Sequence, residues 1–195
     1  MNPFRISSTE TDTASPPKRH LPIIVSLILA ALILSNMALI FFFSAENGED
    51  SGNRSAWVTD IVLKVIRPDF DSLPQAEQQH VEANVHHLVR KTAHFLEYAV
   101  LGFLFACLLL WLKHVSVWRI RLWQAWVFPV ALGLFYAVSD EVHQIFSQRG
   151  ARVTDVLIDL TGVIFGVCMA HVATWLLQLI RTAKKTKAGK ETAHV

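Results

Sequence analysis

In "RKTAHFLEYAVLG", residues 90–102, His94 and Glu97 place an imidazole and a carboxylate one helical turn apart in a largely apolar run. A histidine beside a carboxylate is common apparatus for moving a proton near neutral pH. Further on, "SDEVHQ" supplies Asp140, Glu141, His143 and Gln144, and "DVLID" supplies Asp155 and Asp159. In an enzyme, His94 or His143 would be the general base, oriented by Glu97, Asp140, Glu141 or Asp159. A metal site needs a convergent set of His and carboxylate ligands. His94 with Glu97, and Glu141 with His143, are partial sets that match no known ligand spacing. No metal and no cofactor is therefore expected. G-x-S-x-G, H-E-x-x-H and P-loop sequences are absent, so catalytic residues stay unassigned and a binding site is the leading reading.

The elements that must position these residues are membrane spans. The chain has 195 residues, 52% of them hydrophobic, with a mean hydropathy of +0.37, too apolar for a soluble domain of this size. Four segments approach the ~20 apolar residues that cross a bilayer core: Leu21–Phe43, Thr92–Leu112, Leu122–Val138 and Val156–Ile180. The fold class expected is all-α, a polytopic membrane protein of four transmembrane helices. Residues 1–20 form a disordered N-terminal tail, 21–180 the membrane domain and 181–195 a basic C-terminal tail. Pro129 weakens the third span, and is tolerated where a neighbouring helix satisfies the freed carbonyl. The first span is longer than the apolar core of a secretory signal and lacks a clear cleavage site, so it reads as a retained anchor. Cys107 and Cys168 fall inside spans and fill space between helices. With a net charge of +2 and scattered basic residues, nothing suggests nucleic-acid binding, and no such partner is expected.

The Lys/Arg bias of short flanking segments sets orientation. Arg5, Lys18 and Arg19 precede span one; Lys113, Arg119 and Arg121 join spans two and three; Arg181, Lys184, Lys185, Lys187 and Lys190 follow span four. Those eleven of 18 basic residues share one side, so both termini are expected in the cytoplasm of a multi-pass cell-membrane protein. Trp111, Trp118, Trp123 and Trp175 fall near the same interface. The long first extracytoplasmic loop carries an amphipathic helix, Ser55–Arg67, with Trp57, Val58, Ile61, Val62, Val65 and Ile66 on one face. It lies on the membrane surface or caps the bundle. A second helix starts near Pro74 and runs through Val81, Val85 and Leu88 into span two.

This topology gathers the polar residues at one depth. Glu97 lies about 8 Å inside span two and Asp159 about 5–6 Å inside span four, both from the outer side. Such residues face the bundle interior and find partners. Lys91, Arg149 and Arg152 are the cations at hand, and His94 can donate to Glu97 or Asp159. The cluster reads either as ion pairs tying helices together or as an outward-facing polar pocket. Small-residue stripes at Gly162, Gly166 and Ala170, at Gly102 and Ala106, and at Gly133 and Ala137 predict closely approaching helices. His171, deep in span four, reads as a buried histidine bonded to a helix neighbour.

These blocks resemble the VanZ-like family of integral membrane proteins. "IFFFSAENGEDSGNRS" is similar to the segment that leaves the family's first helix, and "RKTAHFLEYAVLG" to its K-x-x-H-F-x-E-Y signature. "SDEVHQIF" and "DVLIDLTGVIFG" resemble its other two blocks. The resemblance implies functional positions at Lys91, His94, Glu97, Asp140, Glu141, Gln144, Asp155 and Asp159. The loop after Phe146 is shorter than the family's, and either Arg149 or Arg152 takes the family arginine's place, the spacing to Asp155 favouring Arg149. The resemblance further implies reduced susceptibility to teicoplanin, a lipoglycopeptide acting outside the cell membrane. The expected partners are the lipid bilayer and a lipid-linked or glycopeptide ligand at the outer leaflet. The alternative is an intramembrane enzyme acting on a lipid-linked or acyl substrate.

Overall fold

The computed structural model describes residues 20–44, 48–115, 120–146 and 152–192. They form α1 (His20–Ser44), α2 (Gly48–Ile66), a short 3-10 turn (Phe70–Ser72), α3 (Gln75–His114), α4 (Gln124–Phe146) and α5 (Val153–Thr192). No strand occurs among the described residues. Four helices, α1, α3, α4 and α5, are long and apolar enough to cross a membrane, so the expected all-α polytopic class holds.

α1 is apolar around its whole circumference, the character of a spanning helix rather than a surface one. Leu27, Leu34 and Phe42 point outward, while Ile33, Ile40 and Ser44 form a buried inward line. The other three helices follow one plan, small and apolar side chains along the inward face and polar ones at one end. On α4 that face is Ala125, Pro129, Gly133 and Ala137, then Asp140, Glu141 and Gln144. On α5 it is Asp159, then Gly162, Val163, Gly166, Val167 and Ala170.

α3 and α5 are 40 residues each, about 60 Å long at 1.5 Å per residue, and form the principal seam. They run parallel: Phe95 and Ala99 meet Gly162, and Ala99 and Phe103 meet Gly166. A Cβ on Gly162, Gly166 or Gly102 would run into the backbone carbonyl of Phe95, Ala99 or Val163 respectively. The predicted glycine stripe is therefore what lets these two backbones touch. On α4, a Cβ on Gly133 would sit 2.6 Å from both methyls of Val163. Trp111 Nε1 donates to the Pro22 carbonyl at 3.3 Å, so the end of α3 lies beside the start of α1. Tyr136 donates its hydroxyl to the Met37 carbonyl at 2.6 Å, which places α4 alongside α1. The crossings thus alternate, and the ends of α1 and α4 meet the membrane-entry ends of α3 and α5.

Pro129 has no N–H to offer the Ala125 carbonyl one turn earlier. His171 of α5 reaches that carbonyl with Nε2 at 3.3 Å. Because a carbonyl only accepts, Nε2 carries the hydrogen. The same ring stacks on Trp126 with centroids 3.9 Å apart. The two expectations about Pro129 and His171 are one contact.

Two of these helices, α2 and α5, differ in extent from the sequence reading, while α3 follows it from Pro74 into the span. α2 begins at Gly48, ahead of the expected Ser55. It packs on α3, burying Thr59 and Leu63 and leaving Trp57, Ile61 and Val65 exposed. The face against the bundle thus straddles the edge of the expected apolar stripe. α3 is one unbroken helix from Gln75 through the span. Before it, Arg67 grips Asp69 through Nε and Nη2 at 3.1 and 3.3 Å, which holds the Asp69 carboxyl below its ordinary range. α5 continues helical to Thr192, through most of the basic tail expected to follow the span at 181–195; its Ala- and Lys-rich sequence favours helix. The expected disordered tail at 1–20 falls, apart from His20, outside the described residues, as do Trp118 and Arg149. Cys107 and Cys168 are free and half-buried.

Candidate functional site

The polar residues at the inward-facing ends converge. Asp140 of α4 is 3% exposed and Asp159 of α5 is 2% exposed. Together with His94 of α3 they bring one ligand-type atom each to within 4.8 Å of one another. Helical spacing explains the meeting. His94 lies one turn before Tyr98 and two before Gly102 on the face of α3 that packs on α5. Asp159 precedes Gly162 and Gly166 on the matching face of α5. The glycine seam draws the two backbones together and the polar groups follow.

Asp140 is held from α1 and from its own helix. Ser44, fully buried, donates to Asp140 Oδ2 at 2.9 Å. Gln144 donates to Ser44 Oγ at 2.8 Å and to the same Oδ2 at 3.2 Å. Asp140 Oδ1 is buried without a hydrogen-bond partner among the described residues, and so is the Tyr98 hydroxyl. Glu97 Oε2 stands 4.0 Å from His94 Nδ1, beyond hydrogen-bond length. Toward the rim, Lys91 pairs with Asp155 at 3.3 Å, both about a quarter exposed. Glu141 accepts the backbone N–H of Arg152 at 2.9 Å, so Arg152 serves the cluster through its main chain.

A cavity of ≈ 20 Å³ opens among these groups, room for about one water. Its walls include six of the nine candidates, Lys91, His94, Glu141, Gln144, Asp155 and Asp159, with Arg90 at the edge. Arg90 also borders a wider groove of ≈ 470 Å³ along α3 that includes Glu82, His86 and His87. Glu97 and Asp140 are absent from the cavity's walls, Asp140 lying behind them among Ser44 and Gln144. His143 stacks on Phe41 with ring centroids 4.3 Å apart, while His94 brings a ring nitrogen within 4.8 Å of both buried acids. Sequence reasoning omitted Ser44 and Tyr98. Both fall inside the family-like blocks, but an uncharged hydroxyl at the end of a span is common and does not stand out as a carboxylate does.

Electrostatics mark Asp140 and Asp159 as unfinished business for the fold. Two carboxylates up to 4.8 Å apart repel by about 3.5 kcal/mol at an effective dielectric near 20. Among the described residues no Lys or Arg pairs with either; Lys91 is committed to Asp155. The groups can accept hydrogen bonds, exchange protons with His94 or hold a cation.

Among curated proteins and solved structures, none matches this chain. The VanZ/LLP1 family model matches residues 28–176, a stretch that contains α3 and α4 whole, most of α1, the first part of α5 through Leu176, and every candidate residue. The buried acids on α4 and α5, the His-x-x-Glu-Tyr turn on α3 and the serine at the end of α1 all lie within that match, and the chain belongs to the VanZ/LLP1 family.

Proposed function

We propose that this protein binds the polar head of an amphipathic envelope component at the outer leaflet, using the polar end of its helix bundle. The observation that carries the reading is the convergence of Glu141, Gln144 and Asp159 from two helices around one small cavity that Arg90 and Lys91 also line, with Asp140 buried behind its wall. Buried ionisable groups inside a membrane bundle are functional candidates by default. The cavity holds only about one water, so a head group meets Arg90 and the open groove along α3 first and sends a small polar part inward. Its tail lies against apolar side chains such as Leu96, Val100 and Leu157, which face outward nearby. The excess of Lys and Arg at the opposite end supports an extracytoplasmic position for this site and a cytoplasmic one for both termini. The exposed stripe Trp57, Ile61 and Val65 on α2 suits contact with the outer membrane surface.

The family's association with teicoplanin points to a lipid-anchored drug or a lipid-linked wall precursor as the ligand. The test is the minimal inhibitory concentration of teicoplanin beside that of vancomycin. A susceptible Gram-positive host would express wild type, Glu97→Gln or Asp159→Asn at matched membrane levels. Wild type is expected to raise tolerance to teicoplanin alone, and both variants to lose it. No change with wild type present in the membrane would remove the glycopeptide link. The alternative, an intramembrane enzyme, draws support from the approach of His94 to Asp140 and Asp159. It predicts that Glu97→Asp abolishes function at unchanged protein levels, whereas a binding site tolerates it in part.

A further inference from the structure

We infer that His94, Asp140 and Asp159 form a site for one divalent transition-metal ion, with zinc the ion their chemistry fits best. The three come from α3, α4 and α5 and offer one nitrogen and two oxygens within 4.8 Å of one another. In tetrahedral zinc, with bonds of about 2.0–2.2 Å, ligand atoms stand roughly 3.4 Å apart. Small side-chain rotations close the remaining gap.

An independent observation points the same way. Asp140 is 3% exposed, and its Oδ1 has no hydrogen-bond partner among the described residues while Oδ2 is held by Ser44 and Gln144. A carboxylate fixed through one oxygen and open at the other is how a ligating aspartate is oriented by its surroundings. Glu97 Oε2, 4.0 Å from His94 Nδ1, is a side-chain rotation short of the hydrogen bond by which a carboxylate orients a metal-bound imidazole. His94 and Asp159 both line the ≈ 20 Å³ cavity, which leaves room for a water at a fourth position. Calcium and magnesium favour all-oxygen shells with more ligands. One imidazole with two carboxylates favours zinc, then manganese. Nothing in the spacing of residues 94, 140 and 159 announces such a site; the fold alone assembles it.

The inference goes beyond the head-group reading and does not depend on it. The test uses full-length, tag-free protein in detergent micelles, stripped with a chelator and titrated with zinc alone, no lipid ligand being added. About one tightly bound zinc per chain is expected, with at least tenfold weaker binding in His94→Gln and Asp159→Asn. Ser44→Ala is expected to weaken it about 10–100-fold through Asp140. His80→Ala with His114→Ala, both exposed on α3, should leave it unchanged. Should the ligand variants fail to fold, cobalt-loaded wild type decides. A spectrum of low-coordinate nitrogen and oxygen ligands without a thiolate band supports the site. Stripped wild type that takes up no zinc, zinc held equally by folded variants, or a thiolate band from Cys107 or Cys168 would overturn it. A manganese titration followed by electron paramagnetic resonance identifies which ion is preferred. Wild type that confers teicoplanin tolerance but binds no zinc would sink this inference alone; wild type that binds zinc but confers no tolerance would sink the glycopeptide reading alone.

Discussion

Replacing His171 with Phe isolates one hydrogen bond deep in the bundle. Phe keeps a ring for Trp126, stacked at 3.9 Å, and removes the Nε2–H that reaches the Ala125 carbonyl at 3.3 Å. Ala125 is fully buried, and Pro129 cannot supply the missing helical donor. An unmade buried hydrogen bond costs about 1–3 kcal/mol in soluble proteins. Interhelical bonds in membranes average nearer ~0.6 and reach ~1.7 kcal/mol. At 3.3 Å the bond is long, so a loss of about 1 kcal/mol is expected, roughly a fivefold change in the unfolding equilibrium. In a Pro129→Ala background the N–H of residue 129 restores the helical bond, and His171→Phe should then cost close to nothing. The double-mutant cycle should show about 1 kcal/mol of coupling. Reversible unfolding in mixed micelles by added dodecyl sulfate, followed by circular dichroism, measures all four proteins. Equal costs in both backgrounds, within ~0.3 kcal/mol, would refute the idea that His171 serves the carbonyl freed by Pro129.

Gly166→Ala should destabilise by about 1–3 kcal/mol in the same unfolding assay. The added methyl meets the Ala99 carbonyl, a backbone atom that cannot rotate away, which outweighs the ~1 kcal/mol helix-propensity gain of alanine. Ala131→Leu, on the exposed face of α4, should stay within ~0.5 kcal/mol. Ser44→Ala removes a donor to Asp140 and an acceptor for Gln144, and should cost about 1–2 kcal/mol; a neutral result would mean that these polar groups regroup without α1. Lys91→Met with Asp155→Asn should show less than ~1 kcal/mol of coupling, shrinking further at 1 M salt by about the factor expected of a partly exposed pair. For orientation, with Cys107 and Cys168 replaced by Ala, Asp71→Cys should react with an impermeant maleimide in intact cells and Lys184→Cys only after permeabilisation; the opposite pattern would invert the proposed topology.

Much of the fold was legible because a bilayer imposes a crude rule that a sequence must obey. Apolar runs of sufficient length span, and the four expected spans fall within α1, α3, α4 and α5 save for Leu122 and Trp123, which precede α4. The glycine stripe was legible for a similar reason, since small residues repeating every four positions have one common use between helices. Helix ends were less legible. α2 started earlier and α5 continued past Ile180, because nothing in hydropathy marks where a helix stops once it has left the apolar region. The buried face of α2 came out rotated, since Thr59 and Leu63 pack on α3 while Trp57 and Val65 do not.

The same division holds at the site. The sequence by itself determined which residue types occur and that they cluster toward one end of the spans. His94, Glu97, Asp140, Glu141 and Asp159 were identifiable because charge inside an apolar run is costly and therefore conspicuous. Only the tertiary structure decided which of them meet. It paired Lys91 with Asp155, turned His143 onto Phe41, brought Ser44 across from α1 and set His94 beside Asp140 and Asp159. Those choices depend on the rotation and offset of one helix against another. Side-chain volumes along the α3–α5 seam fix them, at residues such as Gly102, Gly162, Val163 and Gly166 that carry no chemistry of their own.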